Sequence, residues 1–387
     1  MVELFQYVLM ADHPLTILGA SARAAAQSAR RAGFAPHAID LFGDADLREV
    51  ATVATIERYP AGFLPALTAA PEGPWVYTGG LENYPRLVAR LARLRPLWGN
   101  CPESLTKVRN PEWLADTLEG TGVGFPQTMP AVAAVGNLSG EWLCKPRRSG
   151  GGLGIHRLRR NGSTNPASSG PWLQRFIAGE PLSAAFLARD GEATWISAAE
   201  QWVGTTWGAP GEFQYAGGLA PAPITAAEQA RLLDVAQRLT TSAGLRGLFG
   251  LDLVRAENRL CLIEVNPRYT ASMELHERSL GRCLMAEHCA AFGAAVANAV
   301  PANRPTNQFH AKLIVYAARA GAAGTAFRDA LKQLSQHGIT AADIPVTDSP
   351  IPAGSPICTL LASNETPAPL RQSLLTASQH VRTSVIS

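Results

Sequence analysis

Two apolar runs near the middle of the chain, LFGLDLV at 248–254 and RLCLIEV at 259–265, flank the polar tripeptide Ala256-Glu257-Asn258. This pattern predicts a β-hairpin. Successive strand side chains alternate faces, so Asp252 points the same way as Gly250 and Val254, and Glu264 shares a face with Asn266. A turn centred near Asn258 sets Asp252 opposite Glu264. Two carboxylates and an amide oxygen then meet at one end of a sheet, with Arg268 just beyond. Carboxylates crowded between apolar neighbours repel each other and are costly to desolvate. A hard divalent cation such as Mg²⁺, which takes oxygen ligands and bridges to phosphates, relieves both. The plainer alternative is a pair of surface carboxylates beside a turn.

The pattern elsewhere reads as an α/β chain. Over 15–50, the strand LTILG, a helix from Ser21 to Ala32 stopped by Gly33, and the strand HAIDLF predict a βαβ unit. Its turn, Gly19-Ala20-Ser21-Ala22-Arg23, lacks the three-glycine dinucleotide fingerprint. It reads either as structural or as an anion site at a helix N-terminus. PWVYT at 74–78 is a further strand and Tyr84 to Arg95 a helix. Asn100 to Pro111 is a Pro-flanked boundary, followed by a helix at 112–119.

From Glu141 the character changes. The strand EWLCKP, the Gly-rich turn Arg147 to Gly154 and the strand IHRLRR predict a flexible flap. It is not a P-loop, in which the Lys follows the glycines and opens a helix. Gly150, Gly151 and Gly152 let backbone N–H groups approach phosphate oxygens, and Lys145 adds a point charge. A surface turn with a snorkelling Lys is the alternative. A polar loop at 161–171 precedes strand, turn and strand in WLQRFIAGEPLSAAFLA. An aromatic loop, Gly204 to Pro223, holds Trp207, Phe213, Tyr215 and Gly217-Gly218, and reads as a lid or as ordinary buried aromatics. Ala226 to Ala243 is an amphipathic helix. Leu280 to Ala299 reads as one helix in which His288 packs. Beyond 309 come the strand AKLIVYA, a helix at 326–337, the strand PICTLLAS and a closing helix at 369–381.

Composition bounds the rest. With 387 residues, two or three domains are expected. Hydrophobic residues make up 47% and charged ones 17%, as in a soluble globular protein. A net charge of +3 without a basic run argues against nucleic acid. There is no membrane-length apolar run, signal peptide or zinc spacing among the cysteines, so a cytoplasmic protein off the membrane is expected. The only lysines are Lys107, Lys145, Lys312 and Lys332, which gives weight to a Lys inside an apolar strand.

In order, these parts resemble the ATP-grasp superfamily of carboxylate–amine ligases. The match rests on the strand Lys before a Gly-rich flap, the hinge strand Trp172 to Ile177, and Glu264-Val265-Asn266-Pro267-Arg268 with Asp252 upstream. The resemblance implies an α/β (α+β) ATP-grasp fold. Its parts would be an N-terminal pre-ATP-grasp domain over 1–104, an ATP-grasp domain over 105–300 with its flap at about 125–200, and a carboxylase-like closing domain over 301–387. It further implies ATP and Mg²⁺ (or Mn²⁺) as cofactors and small carboxylates and amines, such as amino acids, as partners; a homodimer is compatible with it. By position, Lys145 would hold the α/β phosphates, Gly150 to Gly152 would close over them, and Gln174, Arg175, Phe176 and Ile177 would line the adenine slot, with Glu180 near the ribose. Asp252, Glu264 and Asn266 would hold Mg²⁺, and Arg268 would orient the reacting carboxylate and its acyl phosphate. The superfamily's first Lys has no direct match; Lys107 or Arg109 stands near its place. After Arg268 the chain lacks the Gln-Val-Glu-His of biotin carboxylases, which argues against biotin carboxylation. Arg-Tyr-Thr-Ala-Ser-Met-Glu, together with the turn Ala20-Ser21-Ala22-Arg23, instead looks like a group of carboligases linked to methanofuran and tetrahydromethanopterin metabolism, implying glutamate ligation to tyrosine, tyramine or a related precursor. A non-catalytic ATP-binding regulator and an NAD-dependent oxidoreductase are the rivals.

Overall fold

The computed structural model describes residues 13–131, 138–158, 170–257, 259–295 and 307–385. The expected turn residue Asn258, the polar loop from 161 to 169 and the end of the helix expected at 280–299 lie outside the described residues.

The N-terminal part is a parallel sheet whose strands run in the order Thr52–Thr55, Phe34–Asp40, His13–Leu18, Trp75–Tyr77. Ala-rich helix Arg23–Arg31 covers one face, where Ala22, Ala25, Ala26 and Ala29 are buried. The helix Phe63–Ala69 and helix Pro85–Ala92 cover the other, burying Phe63, Leu67, Val88 and Leu91. Parallel strands need such crossovers, and their end carries the short turn Leu81–Asn83.

The central element, among the described residues, is an eight-stranded antiparallel sheet. From one edge it runs Arg259–Asn266, Gly247–Ala256, Glu180–Arg189, Glu192–Val203, Tyr215–Ala220, Phe309–Tyr316, Pro356–Asn364 and Thr340–Ala342. The last three come from the C-terminal segment, so the closing part extends the central sheet. Helix Ala226–Ala243 lies across it, started by the Thr225/Glu228 capping box and stopped by Gly244 at φ +68°. Its Leu232, Val235, Ala236 and Leu239 are buried against the strands. A smaller antiparallel sheet, in the order Thr128–Pro130, Trp172–Arg175, Trp142–Lys145, His156–Arg157, forms the flap.

Several expectations are corrected. Leu280 to Ala299 is not one helix: Met273–Leu280 and Leu284–Ala291 are separated at Gly281, which sits at φ +63° in the left-handed region. The Pro-flanked boundary holds helix Pro102–Val108, because Pro102 and Pro111 each open a helix at its first position, where the missing N–H costs nothing. Gly217 and Gly218 belong to strand Tyr215–Ala220 and not to the aromatic loop. A Cβ on Gly217 would lie 2.1 Å from the Lys312 carbonyl oxygen, so only glycine allows that strand approach.

His288 packs as the sequence suggests. The Leu248 N–H donates to its Nδ1 at 2.9 Å, which fixes the neutral ring with Nε2 donating to the Trp98 carbonyl at 2.9 Å. Burial pushes its pKa down to about 4. The unfolded chain takes up this proton below about pH 6.5 and the folded chain only near pH 4, so the group's contribution is present above 6.5 and lost as pH falls. We expect the wild type to lose about 2 kcal/mol more between pH 7 and 5 than His288→Gln, measured by urea unfolding at each pH. Equal losses would exclude the neutral buried ring.

Candidate active site

The site is built at the edge of the central sheet, where the acidic hairpin, the flap and the N-terminal sheet meet. The hairpin pairs Ala256 with Arg259 and Leu253 with Leu262, a register that continued unbroken would set Asp252 against Ile263. A bulge leaves Ile263 unpaired and brings Asp252 opposite Glu264. The two carboxylates therefore share a face, with Gly250 opposite Asn266 one step further.

Each carboxylate is held differently. Asp252 accepts from Gln201 Nε2 and Asn266 Nδ2, both at 2.8 Å. Burial, then the charge of Glu264, pushes its pKa up to about 6. Burial acts the same way on Glu264, but Arg109, Lys145 and Arg268 outweigh it and hold Glu264 below the usual carboxylate range. Arg109 donates directly to Glu264. Lys145 Nζ donates to Gln174 Oε1 at 3.1 Å, and burial lowers its pKa against the pull of Glu264. Arg268 Nη2 donates to Asn266 Oδ1 at 3.0 Å, and its Nε and Nη2 both reach Glu82 Oε1, at 2.9 and 2.8 Å.

The structure thus brings Lys145, Gln174, Asp252, Glu264, Asn266 and Arg268 into one connected cluster. The Asp252–Glu264 pair fits a hard divalent cation: two carboxylates face each other and the burden of burying both falls on Asp252. Asn266 is oriented with its oxygen on Arg268 and its nitrogen on Asp252, so it orders these two groups. Of the two residues near the expected first Lys, Lys107 turns away to the Ser242 carbonyl at 2.7 Å and Arg109 turns in.

Other expected residues sit elsewhere. Glu180 is exposed and meets Arg255, at 3.4 Å, on the far side of the strand. In the hinge, the N–H groups of Arg175 and Phe176 donate to the Gln127 and Glu141 carbonyls at 2.8 Å, so those two donors are spent within the flap sheet. Ile177 is half-buried beyond them. The turn at 19–23 is no open anion site: the Ala22 N–H donates to Asp40 Oδ2 at 3.2 Å, and buried Arg23 is bonded by Glu274 and Asp343.

The flap is closed. Gly151 carbonyl accepts from the Tyr215 N–H at 2.9 Å, and a Cβ on Gly152 would meet the Phe213 carbonyl oxygen at 1.8 Å. Gly150 beside them is exposed. Phe213 stands edge-on to Phe176 at 6.0 Å, with the Arg157 guanidinium 4.2 Å over Phe176. The aromatic loop is therefore the surface that the flap tip rests on. On the other side, Asn83 Nδ2 donates to the Ser149 carbonyl at 3.0 Å while its Oδ1 accepts from Arg109. Glu82, Asn83 and Gln201 were not evident from the sequence, since they lie far along the chain from their partners Arg268, Arg109 and Asp252 and match no local motif.

The architecture is the ATP-grasp fold, and residues 112–272 match the family model described as ATP-grasp domain. Solved structures with this fold cover nearly the whole chain. L-amino acid ligase from Bacillus licheniformis is similar over 95% of this chain and 98% of its own, with TM-score 0.70 and 15% identity. Biotin carboxylase from Campylobacter jejuni gives 0.67 and 14% over 95% and 94%. N5-carboxyaminoimidazole ribonucleotide synthetase from Thermus thermophilus gives 0.66 and 16% over 96% and 99%. Compared with curated proteins, the sequence has no significant match.

Proposed function

We propose that the protein is an ATP-dependent carboxylate–amine ligase that forms an amide through an acyl phosphate and releases ADP and phosphate. The observation that carries this reading is the cluster itself: Lys145 and Arg109 on one side, the Asp252–Glu264 pair between, and Arg268 beyond. Among the described residues it holds cationic and oxygen groups and no activated nucleophile, as phosphoryl transfer by positioning and charge neutralisation requires. Lys145, Arg109 and the flap glycines would hold the ATP phosphates. Asp252 and Glu264 would hold Mg²⁺, which supplies charge neutralisation on the transferred phosphoryl group. Arg268 would orient the carboxylate, and the closed flap would keep water from the acyl phosphate. The chain's similarity to L-amino acid ligase over nearly its full length supports amino acids as the substrate class. The pairing of glutamate with tyrosine or tyramine rests on the sequence after Arg268 and on the turn Ala20-Ser21-Ala22-Arg23.

The test is Mg²⁺-dependent ADP and phosphate release with pooled amino acids, one pool holding glutamate with tyrosine or tyramine, and product mass measured. Release that depends on one pool, with an amide product, supports the ligase. ATP bound but unspent in every pool favours a regulatory protein. Bicarbonate-dependent release stimulated by biotin would favour a carboxylase instead.

A further inference from the structure

Glu82 is 1% exposed, yet one of its oxygens has no hydrogen-bond partner among the described residues. Arg268 could have taken both oxygens in a parallel fork, the usual geometry for this pair. Instead Nε and Nη2 both converge on Oε1, leaving Oε2 buried and free. A buried unsatisfied carboxylate oxygen is expensive, and one retained beside a reactive cluster points to a ligand. A second unpartnered group belongs to the same place. The Tyr59 hydroxyl is buried without a partner among the described residues, and a Cβ on Gly80, at φ +102°, would lie 2.0 Å from it. The flap closes next door, on Asn83 and with Arg148 5.2 Å over the Tyr84 ring.

Building on the ligase reading, we infer that Glu82 Oε2 and the Tyr59 hydroxyl form the seat of the attacking primary amine, and that Glu82 is the base that frees it. An ammonium group offers the donors that a lone carboxylate oxygen needs, and a phenol oxygen can accept another. Because Oε1 is tied to the Arg268 that orients the acyl group, the same carboxylate aligns nucleophile and electrophile. Glu82 takes one proton from the bound ammonium. The freed nitrogen lone pair forms the C–N bond at the acyl carbon, the C–O bond to phosphate breaks, and phosphate leaves with that electron pair and a second nitrogen proton. The third proton stays on the amide.

The test uses hydroxylamine, which is uncharged near neutral pH and needs no base, against pooled amino acids as the amine. With MgATP and pooled amino acids as carboxylates, E82Q should lose amide formation by about 100-fold or more and hydroxamate formation by less than tenfold. Tyr59→Phe should raise the amine KM several-fold with a smaller change in kcat. It removes a hydroxyl that has no hydrogen-bond partner among the described residues, so it folds even if E82Q does not. Equal loss of amide and hydroxamate in E82Q, or an unmoved amine KM in Tyr59→Phe, overturns the inference and leaves Glu82 a support for Arg268. If the wild type makes neither product from any pool, the ligase reading itself falls, and this inference with it.

Discussion

Glu264→Gln is expected to lower Mg²⁺-dependent turnover by about 10²–10³-fold while nucleotide affinity stays within about tenfold. Glu264 is the carboxylate that its surroundings keep ionised: burial opposes its charge, but Arg109, Lys145 and Arg268 together reverse that. A glutamine keeps the size and loses the charge. The cations around it, no longer neutralised, still attract a polyphosphate, which is why binding survives. Turnover does not, because the charge that would place a divalent cation against the transferred phosphoryl group is gone. Lys145 also loses the neighbour that raises its pKa against burial, so its charge becomes harder to hold. Calorimetric nucleotide binding beside steady-state ADP release separates the two effects. Full turnover by Glu264→Gln would remove the cation site from Asp252 and Glu264, and parallel losses of binding and turnover would make Glu264 a nucleotide contact instead.

That pair was legible in the sequence for a reason that is partly fortunate. Alternation places Asp252 and Glu264 on one face only if the register sums correctly, and the turn alone, from Ala256 to Arg259, sets it one residue out. The bulge at Ile263 restores it, and nothing in the sequence marks that residue. A turn centred on Asn258 gave the same opposition by a different route. Lys145 was legible because a strand, a Lys and then glycines form a local pattern. Glu82 was not, since its meaning comes from Arg268, 186 residues away. The same limit explains Glu180. It follows the hinge in sequence, but its strand turns it outward to Arg255. Arg23 shows the converse case: an ordinary helix-start arginine is fully buried because Glu274 and Asp343 arrive from two distant segments. Local pattern fixed most strands and helices; side-chain partners across segments needed the fold.

Arg268→Ala should damage both activity and stability, and the two losses have different origins. Activity should fall by about 10²–10³-fold, because the guanidinium reaches Asn266, Glu82 and the backbone of Tyr269 at once. Stability should fall by about 3–5 kcal/mol, since Glu82 is left as a buried charge without its partner. Arg268→Lys restores a charge but not the planar fork, so it should recover more stability than turnover. Combining Arg268→Ala with Glu82→Gln removes the stranded charge. If the stability loss comes from Glu82, the double variant should unfold at a higher temperature than Arg268→Ala alone while remaining as inactive. Thermal unfolding followed with ADP release on all four proteins decides this. A double variant no more stable than the single would place the loss in packing around Arg268. Arg268→Ala with turnover near that of the wild type would remove it from the chemistry altogether.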